Sequence, residues 1–313
     1  MAANLGRVAL PQSDGLTDQV SPSIHRAVAE INRSYGAQLA LRSRFSGGLQ
    51  GGAYLLEDPD GRVAVLKWFP DPRRLPELQR VAQAVETIRS VGYPTPAWLV
   101  VGATDEGVFQ LTKYTPGEPA TPLTLHNATQ LVGILEQQAG LNPLPERDWS
   151  EYVTATVLDS PAYGSRKTLE GLGQPGLMLI DHYHWLLGVL GPTSLPSTDL
   201  VHGDFNSCNV LIHNRRISGV IDIEALGSGS RVIDYAWLLR EAWMEGAGQP
   251  DQWATLAMIR TAAEAVAGPS ALALCVAATA FDIAVWTSNT EPADLARVLD
   301  RLHQLADYLA RPA

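Results

Sequence analysis

The chain has 313 residues, 46% of them hydrophobic and 18% charged, with a formal net charge of −10 at pH 7. That profile belongs to a globular chain with a sizeable core and excludes an intrinsically disordered one. The acidic balance argues against a nucleic-acid partner and favours a cationic one. No apolar run reaches the length of a membrane span, no basic-then-apolar leader opens the chain, and Cys208 and Cys275 have neither metal-ligand nor disulfide spacing. The expected setting is a reducing cytoplasm, with no membrane partner.

Residues 1–20 read as an irregular lead-in, and Ser21-Pro22 opens a helix through Arg33, with Ser at the N-cap and Pro at the first helical position. Residues 37–113 read as an antiparallel sheet. Strands are expected near Gln38–Phe45, Ala53–Glu57, Arg62–Phe69, Ala97–Gly102 and Val108–Lys113, with a hairpin turn at Pro59-Asp60-Gly61. One helix interrupts them, Leu75–Arg89, carried by Leu78, Val81, Val85 and Ile88. After Tyr114-Thr115-Pro116-Gly117 helices dominate: Thr124–Ala139, Trp149–Leu158, Gly176–Leu190, Val232–Met244, Gln252–Ala267, Ala271–Thr287 and Ala293–Ala310. The pattern predicts an α+β chain in two lobes: a small N-lobe (37–116) with a five-stranded antiparallel sheet and one helix, and a larger, mainly helical C-lobe (117–313). An N-terminal extension (1–36) precedes them, and the ligand site is expected in a cleft between the lobes.

Chemistry concentrates in Leu200–Asp234, LVHGDFNSCNVLIHNRRISGVIDIEALGSGSRVID. Two apolar, β-branched strands, Val210–His213 and Ile217–Ile223, flank a turn at Asn214-Arg215-Arg216, which predicts a hairpin returning Asp222 alongside Asn209. Hard oxygen donors of that kind suit Mg²⁺ rather than zinc. Asp204 lies just upstream, placed to orient or deprotonate an attacking hydroxyl, and the three together make up the electrostatic set that phosphoryl transfer requires. His202-Gly203-Asp204 with Asn209 has the spacing of a kinase catalytic loop, with Gly where protein kinases carry Arg. His202 and Asp234 are expected to be structural, the latter as a helix cap or a brace for the loop backbone.

Two features of the small lobe complement this motif. Ser46-Gly47-Gly48-Leu49-Gln50-Gly51-Gly52 joins two strands, and its glycines let backbone N–H groups approach a phosphate; by itself such a loop is more often a flexible turn. Lys67 emerges from the apolar strand Val63–Phe69, where an unpaired ammonium would be costly: either it snorkels to the strand edge or, in a kinase-like lobe, it binds phosphate with a helix glutamate holding it. Periodicity favours Glu77 over Glu86 for that partner.

These residues together resemble the aminoglycoside phosphotransferase, choline kinase and homoserine kinase superfamily, from Ser46 to about Trp243. The resemblance implies a bilobal protein-kinase-like fold and transfer of the γ-phosphate of ATP, or GTP, to a small-molecule hydroxyl with Mg²⁺. It implies that Asp204 is the catalytic aspartate, that Asn209 and Asp222 are metal ligands, and that Lys67 binds phosphate. It also implies that the backbone of Thr112, Lys113 and Tyr114 reads the purine edge. Two departures stand out: Gly51 where the family's loop often has Asn, and Gly229-Ser230-Arg231 where Gly-Asp-Pro is common.

The expected acceptor is a cationic small molecule, an aminoglycoside or related basic antibiotic, drawn by Glu224, Glu241, Glu245, Asp251 and Asp282. Glu241 and Trp243 are the favoured substrate-facing pair, although acids of this kind are more often solvated helix charges and such tryptophans more often core. A metabolic kinase of an amino alcohol, homoserine-like compound or sugar is the alternative. A non-catalytic nucleotide-binding pseudokinase is disfavoured by the presence of Lys67, Asp204, Asn209 and Asp222 together.

Overall fold

The computed structural model describes residues 6–7, 20–45, 52–158, 164–246 and 248–312. The chain divides into two compact units, Met1–Glu118 with Leu211–Glu224, and Pro119–Val210 with Ala225–Ala313.

In the first unit a two-residue strand, β1 (Gly6–Arg7), is followed by α1 (Pro22–Tyr35), β2 (Ala40–Arg44), β3 (Ala53–Glu57), β4 (Arg62–Phe69), α2 (Leu75–Ser90), β5 (Trp98–Thr104) and β6 (Gly107–Lys113). The antiparallel sheet runs β2-β3-β4-β6-β5, and β1 pairs with the start of β4 inside the lead-in that the sequence leaves irregular. Strand β4 is apolar on both faces because both are covered. Ala64, Leu66 and Trp68 join a core with Ile24, Ala27 and Ile31 of α1, while Phe69 packs with Leu78 of α2 and with Val108. Alternation therefore sends Lys67 to the Phe69 face. Helix α1 is capped by the Ser21 side chain, starts on Pro22 and ends at Gly36 in the left-handed region (φ 60°).

A two-residue strand, β7 (Glu118–Pro119), precedes the helical part of the chain: α3 (Leu125–Glu136), α4 (Trp149–Leu158), α5 (Gly164–Gly171) and α6 (Gln174–Leu190). Strand β8 (Asp199–Val201) leads into the Leu200–Asp234 segment, which continues with β9 (Val210–His213), β10 (Arg216–Val220) and β11 (Gly227–Gly229). Helices α7 (Val232–Glu245), α8 (Gln252–Thr290) and α9 (Leu295–Ala310) complete the chain. Helix α5 and strands β8 and β11 are absent from the sequence-based expectation, being too short for periodicity to register.

The β9–β10 hairpin forms as expected. Asn214 (φ 51°) and Arg215 (φ 64°) are both left-handed, the geometry of the tight turn that matches strand twist. Strand β10 stops at Val220 rather than Ile223, because Asp222 also has positive φ (62°) and leaves the extended region. Helix α7 is buried nearly all round, as befits the central helix of its unit. Helix α8 joins the two expected helices across a break at Gly268 (φ 83°, ψ 170°) and Pro269. By length and composition it could cross a membrane, but 72% of its most apolar window is buried within the protein.

Candidate active site

Within the first unit, Lys67, Asp222 and Glu224 form a charged cluster. The Lys67 ammonium donates to Asp222 Oδ1 at 2.5 Å and to Glu224 Oε1 at 2.9 Å. Glu224 is 7% exposed, whereas half of the Asp222 side chain is accessible. Burial pushes the Glu224 carboxyl up to about 7 against the pull of Lys67. For Lys67, burial would lower the pKa, but Glu224 and Asp222 outweigh it and leave it raised.

The expected partner of Lys67 is thereby corrected. Glu77 lies in the first turn of α2, where it pairs with Arg74 at 3.7 Å, and Glu86 pairs with Arg89 at 3.3 Å. Glu224 was assigned only to the acidic surface by sequence. Its signal was its place two residues after Asp222 in an apolar run. Thr112 and Lys113 end β6, in register with Val65 and Ala64, and Tyr114 follows. Of the glycine loop, only Gly52 lies in the described residues, at φ 79° with Arg44 against it; Ser46, Gly47, Gly48 and Gly51 fall outside them.

In the second unit the Asp204 loop is built around side chains that bind its backbone. Asn206 accepts from the N–H groups of Cys208 and Asn209, capping the short 3₁₀ turn Ser207–Asn209. Its amide nitrogen donates to Asp204 Oδ1 at 3.0 Å, and Asn209 Nδ2 donates to Asp204 Oδ2 at 3.2 Å and to the Asp204 carbonyl at 2.9 Å. Two amides therefore fix the Asp204 carboxylate. Asn206 escaped the sequence reading, although Asn immediately before a turn is a recognisable cap signal.

Asp234 is 0% exposed and braces the same loop from α7. It accepts from His202 N (2.6 Å), Gly203 N (3.0 Å) and Gln138 Nε2 (2.9 Å). The antiparallel pairing of β8 with β11, Val201 opposite Gly227 and Asp199 opposite Gly229, draws the two segments together. Burial raises the Asp234 pKa, with His202 and the backbone donors opposing. Gly203 sits at φ 83°, and a Cβ there would lie 2.6 Å from the Trp149 ring, so the Arg of protein kinases has no room. His202 is fully buried, with Nδ1 accepting from Asp204 N at 3.3 Å and its ring edge-on to Phe205.

The substrate-facing pair is also corrected. Glu241 is 5% exposed and both its carboxylate oxygens take Ser207, one its N–H at 2.9 Å and the other its hydroxyl. It holds the Asp204 loop from behind. Trp243 donates Nε1–H to the Arg301 carbonyl at 2.8 Å and packs its ring 5.3 Å from Tyr308, as a core residue. Asp251 accepts the Leu125 N–H at 2.7 Å. Of the acidic residues expected to attract a cation, Glu245 is exposed, and half-buried Asp282 accepts from the Ser165 hydroxyl.

Each unit carries a hard oxygen donor whose chemistry suits Mg²⁺. Asn209 spends its amide N–H groups on Asp204, and among the described residues its Oδ1 accepts no hydrogen bond. That oxygen is a hard donor of the kind Mg²⁺ takes, and in the first unit the half-exposed Asp222 carboxylate is another. No three His, Cys, Asp or Glu side chains among the described residues gather into a metal cage.

An antiparallel sheet bearing a lysine, a mainly helical larger part and an amide-braced aspartate loop define a phosphotransferase of kinase-like fold. The chain belongs to the phosphotransferase enzyme family (APH), whose model matches residues 42–274. No curated protein matches it by sequence. Among solved structures it is similar to aminoglycoside phosphotransferase APH(4)-Ia, at 16% identity and TM-score 0.67, covering 94% of this chain and 100% of that one. A thermostable mutant of that enzyme, in ternary complex with AMP-PNP and hygromycin B, matches at 16% identity and TM-score 0.64, covering 90% and 97%. The amicoumacin kinase hAmiN, in complex with AMP-PNP, Ca²⁺ and Ami, matches at 14% identity and TM-score 0.59, covering 91% and 94%.

Proposed function

We propose that this protein transfers the γ-phosphoryl group of ATP to a hydroxyl of a cationic small molecule, of the aminoglycoside or related basic antibiotic class. The observation that carries the reading is the Asp204 carboxylate, oriented by the Asn206 and Asn209 amides on a loop anchored by Asp234 and Glu241. A carboxylate so fixed can align an acceptor hydroxyl and take its proton as the phosphoryl group arrives. Lys67 would neutralise phosphate charge, with Glu224 holding its ammonium in place. Asn209 and Asp222 would hold Mg²⁺, which when bound draws charge from the phosphate oxygens. The similar structures that hold AMP-PNP with hygromycin B or with Ami support this choice of substrates, as do exposed Glu245 and the Asp282 carboxylate.

The test is incubation with ATP, Mg²⁺ and a panel of aminoglycosides, peptide antibiotics and small hydroxylated metabolites, read as a mass gain of one phosphate. Transfer to a basic antibiotic, lost in Asp204→Ala, is the expected result. Transfer only to a metabolite would overturn the substrate class, and undiminished transfer by Asp204→Ala would overturn the role of Asp204.

A further inference from the structure

Two arginines are buried in the second unit, and they differ in a way that points to a ligand. Arg260, 4% exposed, uses its guanidinium fully: Nε to Glu264 at 2.6 Å, Nη1 to the Tyr308 carbonyl at 2.9 Å, and Nη2 to the carbonyls of Leu309 and Arg311 at 3.2 and 2.7 Å. That is how a purely structural buried arginine is satisfied. Arg240, 9% exposed on α7, donates to no acceptor among the described residues, and its Nε is sealed from solvent without a partner. The terminal nitrogens are not sealed in the way that Nε is. The guanidinium lies over the Trp237 ring, 4.7 Å from its centroid, which occupies one face and leaves the donor edge free.

The surrounding carboxylates are Glu241, Asp204, Asp282 and Glu245, near enough to act on Arg240 by charge but none within ion-pair distance. Two of them are engaged elsewhere, Glu241 by Ser207 and Asp282 by the Ser165 hydroxyl. Burial lowers the Arg240 pKa, with the four carboxylates opposing, and the guanidinium is left without a hydrogen-bond acceptor among the described residues. A planar fork of N–H donors without acceptors, within reach of the charge of Asp204, matches an oxyanion.

We propose that Arg240 binds an oxyanion of the reactants at Asp204, either a carboxylate on the acceptor or a phosphoryl oxygen of the nucleotide. The site deepens the phosphotransfer reading and rests on it for the identity of the anion's carrier. A carboxylate would make the acceptor zwitterionic, its ammonium answered by Asp282 and Glu245 and its anion by Arg240.

The experiment compares wild type with Arg240→Met, which keeps volume without charge, and Arg240→Lys, which keeps charge without the fork. Thermal stability is measured alone and with inorganic phosphate, against chloride at equal ionic strength. The phosphate-induced rise in wild type should shrink in Arg240→Met, whose stability without ligand should equal or exceed that of wild type. Steady-state KM for the acceptor or for ATP should rise about tenfold or more in Arg240→Met. A shift confined to the acceptor identifies its carboxylate, and one confined to ATP identifies phosphate. An unfolded or strongly destabilised Arg240→Met, with Arg240→Lys unchanged in stability, anion response and KM, would show a structural cation and overturn the proposal. Phosphate binding needs no turnover, so an inactive wild type would refute the phosphotransfer reading while leaving the anion site testable.

Discussion

Replacing Asp234 by Ala removes the acceptor of three buried N–H donors, those of His202, Gly203 and Gln138. Each donor stranded in the interior costs about 1–3 kcal/mol, so three of them set a loss of about 3–9 kcal/mol. The unfavourable burial of the carboxylate itself, visible in its raised pKa, offsets part of this and places the expectation toward the lower end. Urea unfolding followed by tryptophan fluorescence, with eight tryptophans as reporters, reads the difference directly. Asp234→Asn should lose less, since one carbonyl oxygen remains an acceptor while the new NH₂ faces a donor. Because two of the stranded donors belong to the backbone that carries Asp204, kcat should fall in whichever variant folds, with KM for ATP little changed. A loss below about 1 kcal/mol for Asp234→Ala would mean that water or a neighbour replaces the carboxylate and that the loop is not anchored as argued.

Glu224→Gln should raise KM for ATP by about tenfold, the equivalent of one charge-assisted hydrogen bond on Lys67, while Glu77→Gln changes it little. A larger effect from Glu77→Gln in steady-state kinetics would restore the helix glutamate as the lysine's holder. A third prediction concerns His303, whose Nδ1 meets that of His182 at 2.8 Å, a distance that admits one proton between them. Burial and then His182 lower its pKa below the ordinary 6.5. A histidine depressed in the folded state stabilises the protein above its unfolded pKa, and that stability is lost as pH falls through the folded value. Unfolding midpoints should therefore decline below about pH 6.5 and decline less in His303→Gln; an identical slope would refute the linkage.

Much of this arrangement was legible in the chain because it is local. Val210–His213, the Asn214-Arg215 turn and the following apolar run specify a hairpin from a handful of neighbouring residues. The alternation of β4 selects the face of Lys67, and Ser21-Pro22 marks a helix start. Asp204 and Asn209 are five residues apart in a single loop that His202-Gly203 opens, so their spacing alone carries the resemblance to the family.

The partners of charged groups were decided by tertiary structure. On a helical wheel Glu77 is a reasonable mate for Lys67, but Glu224, more than 150 positions along the chain, arrives there because Leu211–Glu224 packs as part of the first unit. Glu241 and Trp243 look like a surface pair at the end of a helix, yet α7 is enclosed on all sides, so one binds Ser207 and the other joins the core. Burial of that kind depends on what other segments cover a helix, which its own periodicity does not record. The same applies to the contrast between Arg240 and Arg260: they are the same residue type in neighbouring helices, one satisfied and one not, according to which carbonyls the fold delivers. The sequence by itself determined the loop that carries Asp204 and Asn209 and the hairpin after it, because their geometry is short-range. Only the tertiary structure decided which charges are spent on the fold and which remain for a ligand, because desolvation and pairing are properties of the packed chain.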